Sequence, residues 1–259
     1  MSARPLRYPL RSGDLVFFLH IPKTAGTTLN AVLESQFKPE QVCPFSYKKL
    51  KEQLTKLSPD EIEKYRLLCA HYDYSIYRFL PRKPVYLTML REPIRRTVSA
   101  YEHIKRVPDH TLHAAVTGGS LSIEQFLELP DSAKRIHNRQ VRQIAGAIHG
   151  MTADELAELS GKDLLSIAKV RLDEFAYFGL TERFQESMDL MAYTFDWTVA
   201  QQVKSLNVAP SEKKPESAVS AEAMAAITRC NELDIELYRY ATELFDRRLR
   251  QIQDEQIGT

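Results

Sequence analysis

Two short stretches of this 259-residue chain carry residues suited to holding a phosphate-like oxyanion. The first is Pro22-Lys23-Thr24-Ala25-Gly26-Thr27-Thr28, which combines one cation, three hydroxyls and a glycine that lets backbone approach a ligand. An apolar run, Asp14 to His20, precedes it, and Leu29, Val32, Leu33 and Phe37 follow at helical spacing. The loop is therefore expected at a helix N-terminus, where amides lack intrahelical partners and the helix dipole favours negative charge. Its order is not that of the common nucleoside-triphosphate loop, Gly-x-x-x-x-Gly-Lys-[Ser/Thr].

The second stretch is Arg91-Glu92-Pro93-Ile94-Arg95-Arg96-Thr97-Val98-Ser99. Arg91 closes the buried run Pro84–Leu90, and Ser99 lies eight residues on, a little over two helical turns. A guanidinium and a hydroxyl so placed suit a phosphate, whereas Arg95, Arg96, Lys105 and Arg106 read as a solvated helix face. His71 ends the short strand candidate Arg66–Ala70, on the edge expected to face Lys23 and Arg91. It is a proton acceptor in waiting or a hydrogen-bonded structural side chain. Asp73 and Glu182 are alternative carboxylate bases. The run Lys134, Arg135, Arg139, Arg142, with Asn138, reads either as an anion-facing surface or as an exposed face balancing an acidic neighbour.

Strands at 14–20, 66–70, 84–90 and 175–179, alternating with helices, predict a P-loop-like parallel α/β sheet flanked by helices. Helices are expected over 46–65, with Ser58-Pro59-Asp60-Glu61 as a helix start, and over 94–106, 122–129, 139–148 and 182–195, with two more between 152 and 171. Residues 107–121 are expected as a loop shaping an acceptor mouth, and 205–217 as a polar loop whose Lys213 and Lys214 help cover a ligand. One long helix, 220–253, is expected to close the chain. A single domain over 1–259 is expected.

Net charge is +1, from 35 Lys+Arg against 34 Asp+Glu, which gives no global preference for nucleic acid. The balance is local: residues 78–142 hold twelve basic against six acidic side chains, and 151–190 four against nine. Cys43, Cys69 and Cys230 are odd in number and lack metal-ligand spacing, so neither a disulfide framework nor a metal site is expected. A basic N-terminus without an apolar core and the lack of a long apolar segment lead to the expectation of a cytoplasmic protein with no membrane span.

His20-Ile-Pro-Lys-Thr-Ala-Gly-Thr-Thr28 and Leu90-Arg-Glu-Pro-Ile-Arg-Arg-Thr-Val-Ser-Ala-Tyr101 together resemble the two cofactor signatures of sulfotransferases, in the branch of the heparan sulfate 2-O- and 6-O-sulfotransferases and their bacterial relatives. Asn138-Arg-Gln-Val-Arg142, the stretch Phe178–Met188, and Leu206-Asn207 with the loop to Pro215 extend the likeness over most of the chain. The resemblance implies a PAPS-dependent enzyme (PAPS is 3′-phosphoadenylyl sulfate) that sulfates a hydroxyl acceptor, a carbohydrate among the candidates, and releases adenosine 3′,5′-bisphosphate without a metal. It implies that Lys23, Thr24, Ala25, Gly26, Thr27 and Thr28 hold the 5′-phosphosulfate and that Arg91 and Ser99 hold the 3′-phosphate. Lys23 would stabilise the bridging oxygen, and His71 would be the general base. Asn138 and Arg142 are acceptor-side candidates. Glu92 stands where the family more often has Asp, and Ala70 precedes His71 where Gly is usual. The membrane anchor and disulfides of the family's Golgi members are not expected in this chain. Two other readings are a P-loop-like small-molecule kinase and a non-catalytic polyanion-binding module.

Overall fold

The computed structural model describes residues 6–45, 49–198 and 219–257. Four short runs, rich in β-branched, leucine and aromatic residues, form β1 (Val16–Leu19), β2 (Leu67–Ala70), β3 (Val85–Leu90) and β4 (Tyr177–Leu180). All pair in parallel, in the order β2-β1-β3-β4. Side chains of β1 and β3 are buried throughout, as both faces of such a sheet are covered.

Helices fill the connections. α1 (Gly26–Glu34) follows β1, and α2 (Leu50–Leu54) and α3 (Pro59–Glu63) lead into β2. α4 (Pro93–Arg106) follows β3. Between it and β4 lie α5 (His113–Gly118), α6 (Ile123–Glu128), α7 (Pro130–Ile136), α8 (Arg139–Ile144), α9 (Ala153–Glu158) and α10 (Gly161–Glu174). α11 (Phe184–Phe195), α12 (Ala221–Cys230) and α13 (Glu232–Ile257) complete the chain. Ser58, Ser122, Thr152 and Ser160 each cap the helix they precede through a reciprocal bond with the residue three positions on.

β1 connects to β2 on one side of the sheet, and β3 leads to β4 on the other. The C-terminal ends of β1 and β3 therefore flank the point where strand order reverses, the usual ligand crevice of such sheets. Thr88 Oγ1 donates to Leu19 O at 2.8 Å and fastens these two ends together.

Several sequence expectations differ. Arg96, expected on a solvated helix face, is buried in α4 and donates through Nη2 to Ile136 O at 2.7 Å. Within 46–65, α2 ends at Leu54 rather than running on, and α3 begins at the expected Ser58-Pro59 start. The loop 107–121 contains α5, anchored by the buried Leu112 and Val116. The closing helix is broken at Asn231, whose buried amide donates to Thr97 Oγ1 (3.2 Å) and Ile227 O (2.9 Å). The backbone N–H of Asn138 also docks on Cys230 O, so the break serves a junction with α8. Leu206, Asn207, Lys213, Lys214 and Pro215 lie outside the described residues.

Candidate active site

The first loop leaves β1 through two residues in left-handed backbone, Lys23 (φ 73°) and Ala25 (φ 60°). This alternation turns successive amides to one side, the shape of an anion nest. Ala25 is the N-cap of α1 and makes no side-chain capping bond; the first turn contains no acidic residue to occupy the dipole's positive end. The hydroxyls are not equivalent. Thr24 is fully buried and donates to Ile21 O at 2.8 Å, so it rigidifies the loop, whereas Thr27 is exposed and Thr28 buried. A cradle of amides with one lysine fits an oxyanion.

Arg91 meets that cradle. Its Nη1 donates to Lys23 O at 3.1 Å, which joins the two predicted anion ligands physically. Its backbone is gripped by the amide of Gln140: Arg91 N donates to Oε1 (3.0 Å) and Nε2 donates to Arg91 O (2.9 Å). Arg91 Nε is buried without a hydrogen bond, 3.7 Å from Glu182 Oε1. Burial lowers the pKa of Lys23, with Arg106 and Arg91 adding to the effect. Concentrated positive charge of this kind is relieved by a bound anion. Ser99 is half-buried in α4, two turns from its start.

His71 lies on the same edge, after β2. Its ring meets that of His20 edge-on, with centroids 4.5 Å apart. Burial, reinforced by the Arg139 guanidinium, holds the His71 pKa down to about 4, and burial with neighbouring His71 and Lys23 takes His20 to about 3. Both rings are thus neutral at pH 7, the state a base requires. The alternative carboxylates are otherwise engaged. Asp73 is fully buried and accepts from Ser75 N (3.0 Å), Ser75 Oγ, Ile148 N (2.9 Å) and His149 N (2.6 Å). Glu182 accepts from Tyr238 OH (2.7 Å) and Glu92 N (3.2 Å) and faces Arg91. Both carboxylates hold loops in place.

The two lowered histidines make stability depend on pH. Below pH 6.5 the unfolded chain protonates these two histidines while the folded chain does not, so protons stabilise the unfolded state. Thermal unfolding temperature should fall as pH drops from about 6.5 toward 4, and the fall should shrink in a His20→Asn variant. A reaction that used the His71 ring as its proton acceptor should show the acid limb of its pH–rate profile near pH 4 rather than 6.5.

Asn138 is the N-cap of α8 and Arg142 lies within it, and the hydrogen bonds of both serve the junction of helices around α8. Asn138 sits in left-handed backbone (φ 44°), and its Oδ1 accepts from Leu233 N (2.9 Å) and Asp234 N (3.2 Å), capping α13. Asp234, fully buried, returns the favour by accepting from Gln140 N (3.1 Å) and Val141 N (2.8 Å) at the start of α8. Arg142 Nη1 donates to Lys134 O at 3.2 Å. Removing the Asn138 cap should therefore be felt as stability. Asn138→Ala removes the one oxygen that accepts from two N–H groups and strains a left-handed position, together about 2 kcal/mol. At this chain length that amounts to a drop of roughly 4–8 °C in melting temperature, measurable by calorimetry, and Asn138→Asp should recover most of it.

Gln140, Gln143 and Tyr238 carry no functional signal of their own in the sequence, and Arg139 stands there only as part of a basic run. Gln143 Nε2 donates to both His20 O and Tyr72 O at 3.0 Å, and its Oε1 accepts from Arg139 Nε at 3.1 Å. The signal available was the pair of buried amides one helical turn apart in Asn-x-Gln-x-Arg-Gln.

Among the described residues, no group of His, Cys, Asp and Glu is placed to hold a metal, and no helix is long and apolar enough to cross a membrane. The profile of the sulfotransferase family matches residues 11–241. A protein-tyrosine sulfotransferase of Arabidopsis thaliana is 27% identical over 285 residues, covering 83% of this chain and 55% of its own length. Heparan-sulfate 6-O-sulfotransferase 1 of Homo sapiens is 25% identical over 293 residues, covering 95% and 69%. The chain thus spans little more than half of the plant protein. A structure of mouse sulfotransferase SULT7A1 complexed with PAP aligns over 90% of this chain and 91% of its own, with 13% identity and a TM-score of 0.33. With a family match running from before the first strand into the last helix, the chain belongs to the sulfotransferase family.

Proposed function

We propose that the protein moves a sulfuryl group from PAPS to a hydroxyl-bearing acceptor and leaves adenosine 3′,5′-bisphosphate. The observation that carries this reading is the joining of the amide cradle to Arg91 through Lys23 O, with neutral His71 on the same sheet edge. The cradle of residues 22–28 would hold the 5′ end of the cofactor, and Arg91 with Ser99 its 3′-phosphate. Bound PAPS supplies an activated sulfuryl group with a stable leaving group. Lys23 balances negative charge gathering at the cradle, since preorganised cations act strongly where water is excluded. His71 accepts the proton of the acceptor hydroxyl. Gln143 and Gln140 keep the strand-end backbones in register, so that cation and base approach from fixed directions.

The two relatives named above act, by their names, on heparan sulfate and on protein tyrosine. Both acceptors present a hydroxyl, which supports the acceptor class proposed here. Arg139 and Arg142 are the acceptor-side cations of α8 in this reading, and Asn138 contributes there through its free amide N–H₂ alone. The thiols of Cys43, Cys69 and Cys230 are free, which supports a reducing, cytoplasmic setting. The direct test is incubation with sulfur-labelled PAPS and a panel of saccharide, phenol and lipid alcohols. Label should pass to at least one class, and the transfer should vanish in Lys23→Ala. Release of bisphosphate without label in any acceptor would count against the reading.

A further inference from the structure

His20, the residue between β1 and the anion cradle, touches both halves of the site. It is 7% exposed, and its ring stacks on Phe18 (centroids 5.3 Å apart, planes 13° apart). One side meets His71 edge-on at 4.5 Å and 73°. The other side lies against Gly26, the first residue of α1: a Cβ built there would fall 1.9 Å from His20 Nε2, 2.1 Å from Cδ2 and 2.5 Å from Cε1. Gly26 is not in left-handed backbone, because Gly146 is the one glycine with positive φ among the described residues. Its conformation is thus open to alanine, and what excludes a side chain is the imidazole. The missing Cβ makes room for His20 inside the protein rather than for a ligand outside it.

The backbone around His20 is equally committed. His20 N donates to Ala70 O (2.9 Å), the residue before His71, and Gln143 ties His20 O to Tyr72 O, the residue after it. Any shift of the His20 ring would therefore be transmitted in two directions, to the first turn of α1 and to the plane of His71.

We propose that His20 is a positioning residue of the transfer reaction, a spacer whose imidazole sets the height of the anion cradle through Gly26 and the ring orientation of His71. The proposal rests on the PAPS reading of the cradle, and it deepens that reading by explaining why histidine and glycine occur together. Two consequences follow. Residues 20 and 26 must be energetically coupled in cofactor binding, and the ring of His71 must report a change at 20 even when the fold is intact.

The test is a double-mutant cycle read by calorimetric titration with adenosine 3′,5′-bisphosphate, joined to spectra of ¹⁵N-labelled histidine. Gly26→Ala alone should weaken binding by roughly 30-fold or more, and His20→Ala alone by less than about fivefold. The double variant should recover at least roughly tenfold of the loss, because the new methyl then has space. In His20→Ala, the tautomer signals and protonation midpoint of His71 should move while the melting curve stays cooperative. Should alanine at 20 compromise folding, His20→Asn serves in the same cycle, being too short to reach the Gly26→Ala methyl. Additive losses in a protein that binds the bisphosphate, or His71 signals unchanged by either substitution, would overturn the proposal while leaving the PAPS reading intact. Absence of bisphosphate binding in the unsubstituted protein would instead bring down the PAPS reading, and the cradle half of this proposal with it.

Discussion

Replacing His71 by alanine should lower turnover by roughly 10²-fold or more while leaving affinity for adenosine 3′,5′-bisphosphate nearly unchanged. The separation follows from geometry. His71 reaches the site from β2 and makes its described ring contact with His20, whereas the cradle is built from amides of residues 22–28 and from Arg91. Positioned proton acceptors typically contribute between about 10² and 10⁴ in rate. This one is neutral at working pH because burial, more than the nearby guanidinium of Arg139, disfavours its charged form. Asp73→Asn is the informative control. That carboxylate organises the turn after His71 through four hydrogen bonds, so its loss should appear mainly in the melting temperature. Near-normal turnover in His71→Ala would remove it as the base.

The second large effect is expected at Arg91. Arg91→Gln deletes a charged donor proposed to hold the 3′-phosphate and also the bond that ties Lys23 O to β3. A hydrogen bond to a charged group is worth about 1.5–3 kcal/mol, and a tenfold change in affinity corresponds to about 1.4 kcal/mol. Loss of roughly 10²-fold in bisphosphate affinity is therefore expected by calorimetry. Arg91→Lys should recover only part of it, because an ammonium cannot address a phosphate and Lys23 O with a fixed fork. Affinity within about threefold of the parent would show that Arg91 braces the fold without touching the cofactor.

The strand-to-helix setting of both candidate stretches was legible in the sequence because it is local. Pro22–Thr28 and Arg91–Ser99 each carry, within one turn and its flanks, the strand, the polar loop and the helix start that define them. His71 was legible by its place at a strand end. What stayed hidden depends on partners far along the chain. Asn138 caps a helix that begins 94 residues later, at Glu232, and Asp234 caps the helix that Asn138 itself precedes, a reciprocity no local pattern announces. The break at Asn231 is invisible to periodicity, since the apolar spacing continues across it and a contact with Thr97 decides the matter. Gly26 is the sharpest case. Its glycine reads naturally as a concession to an approaching ligand, and the fold shows that the space belongs to His20.

Comparative calorimetry shows whether residues 22–28 and Arg91 form a site for PAPS. The protein should bind adenosine 3′,5′-bisphosphate more tightly than ATP–Mg²⁺ by roughly tenfold or more, a margin of about 1.4 kcal/mol that the second phosphate contact alone can supply. ATP–Mg²⁺ binding as tightly as, or more tightly than, the bisphosphate would mean that the site is not built for PAPS.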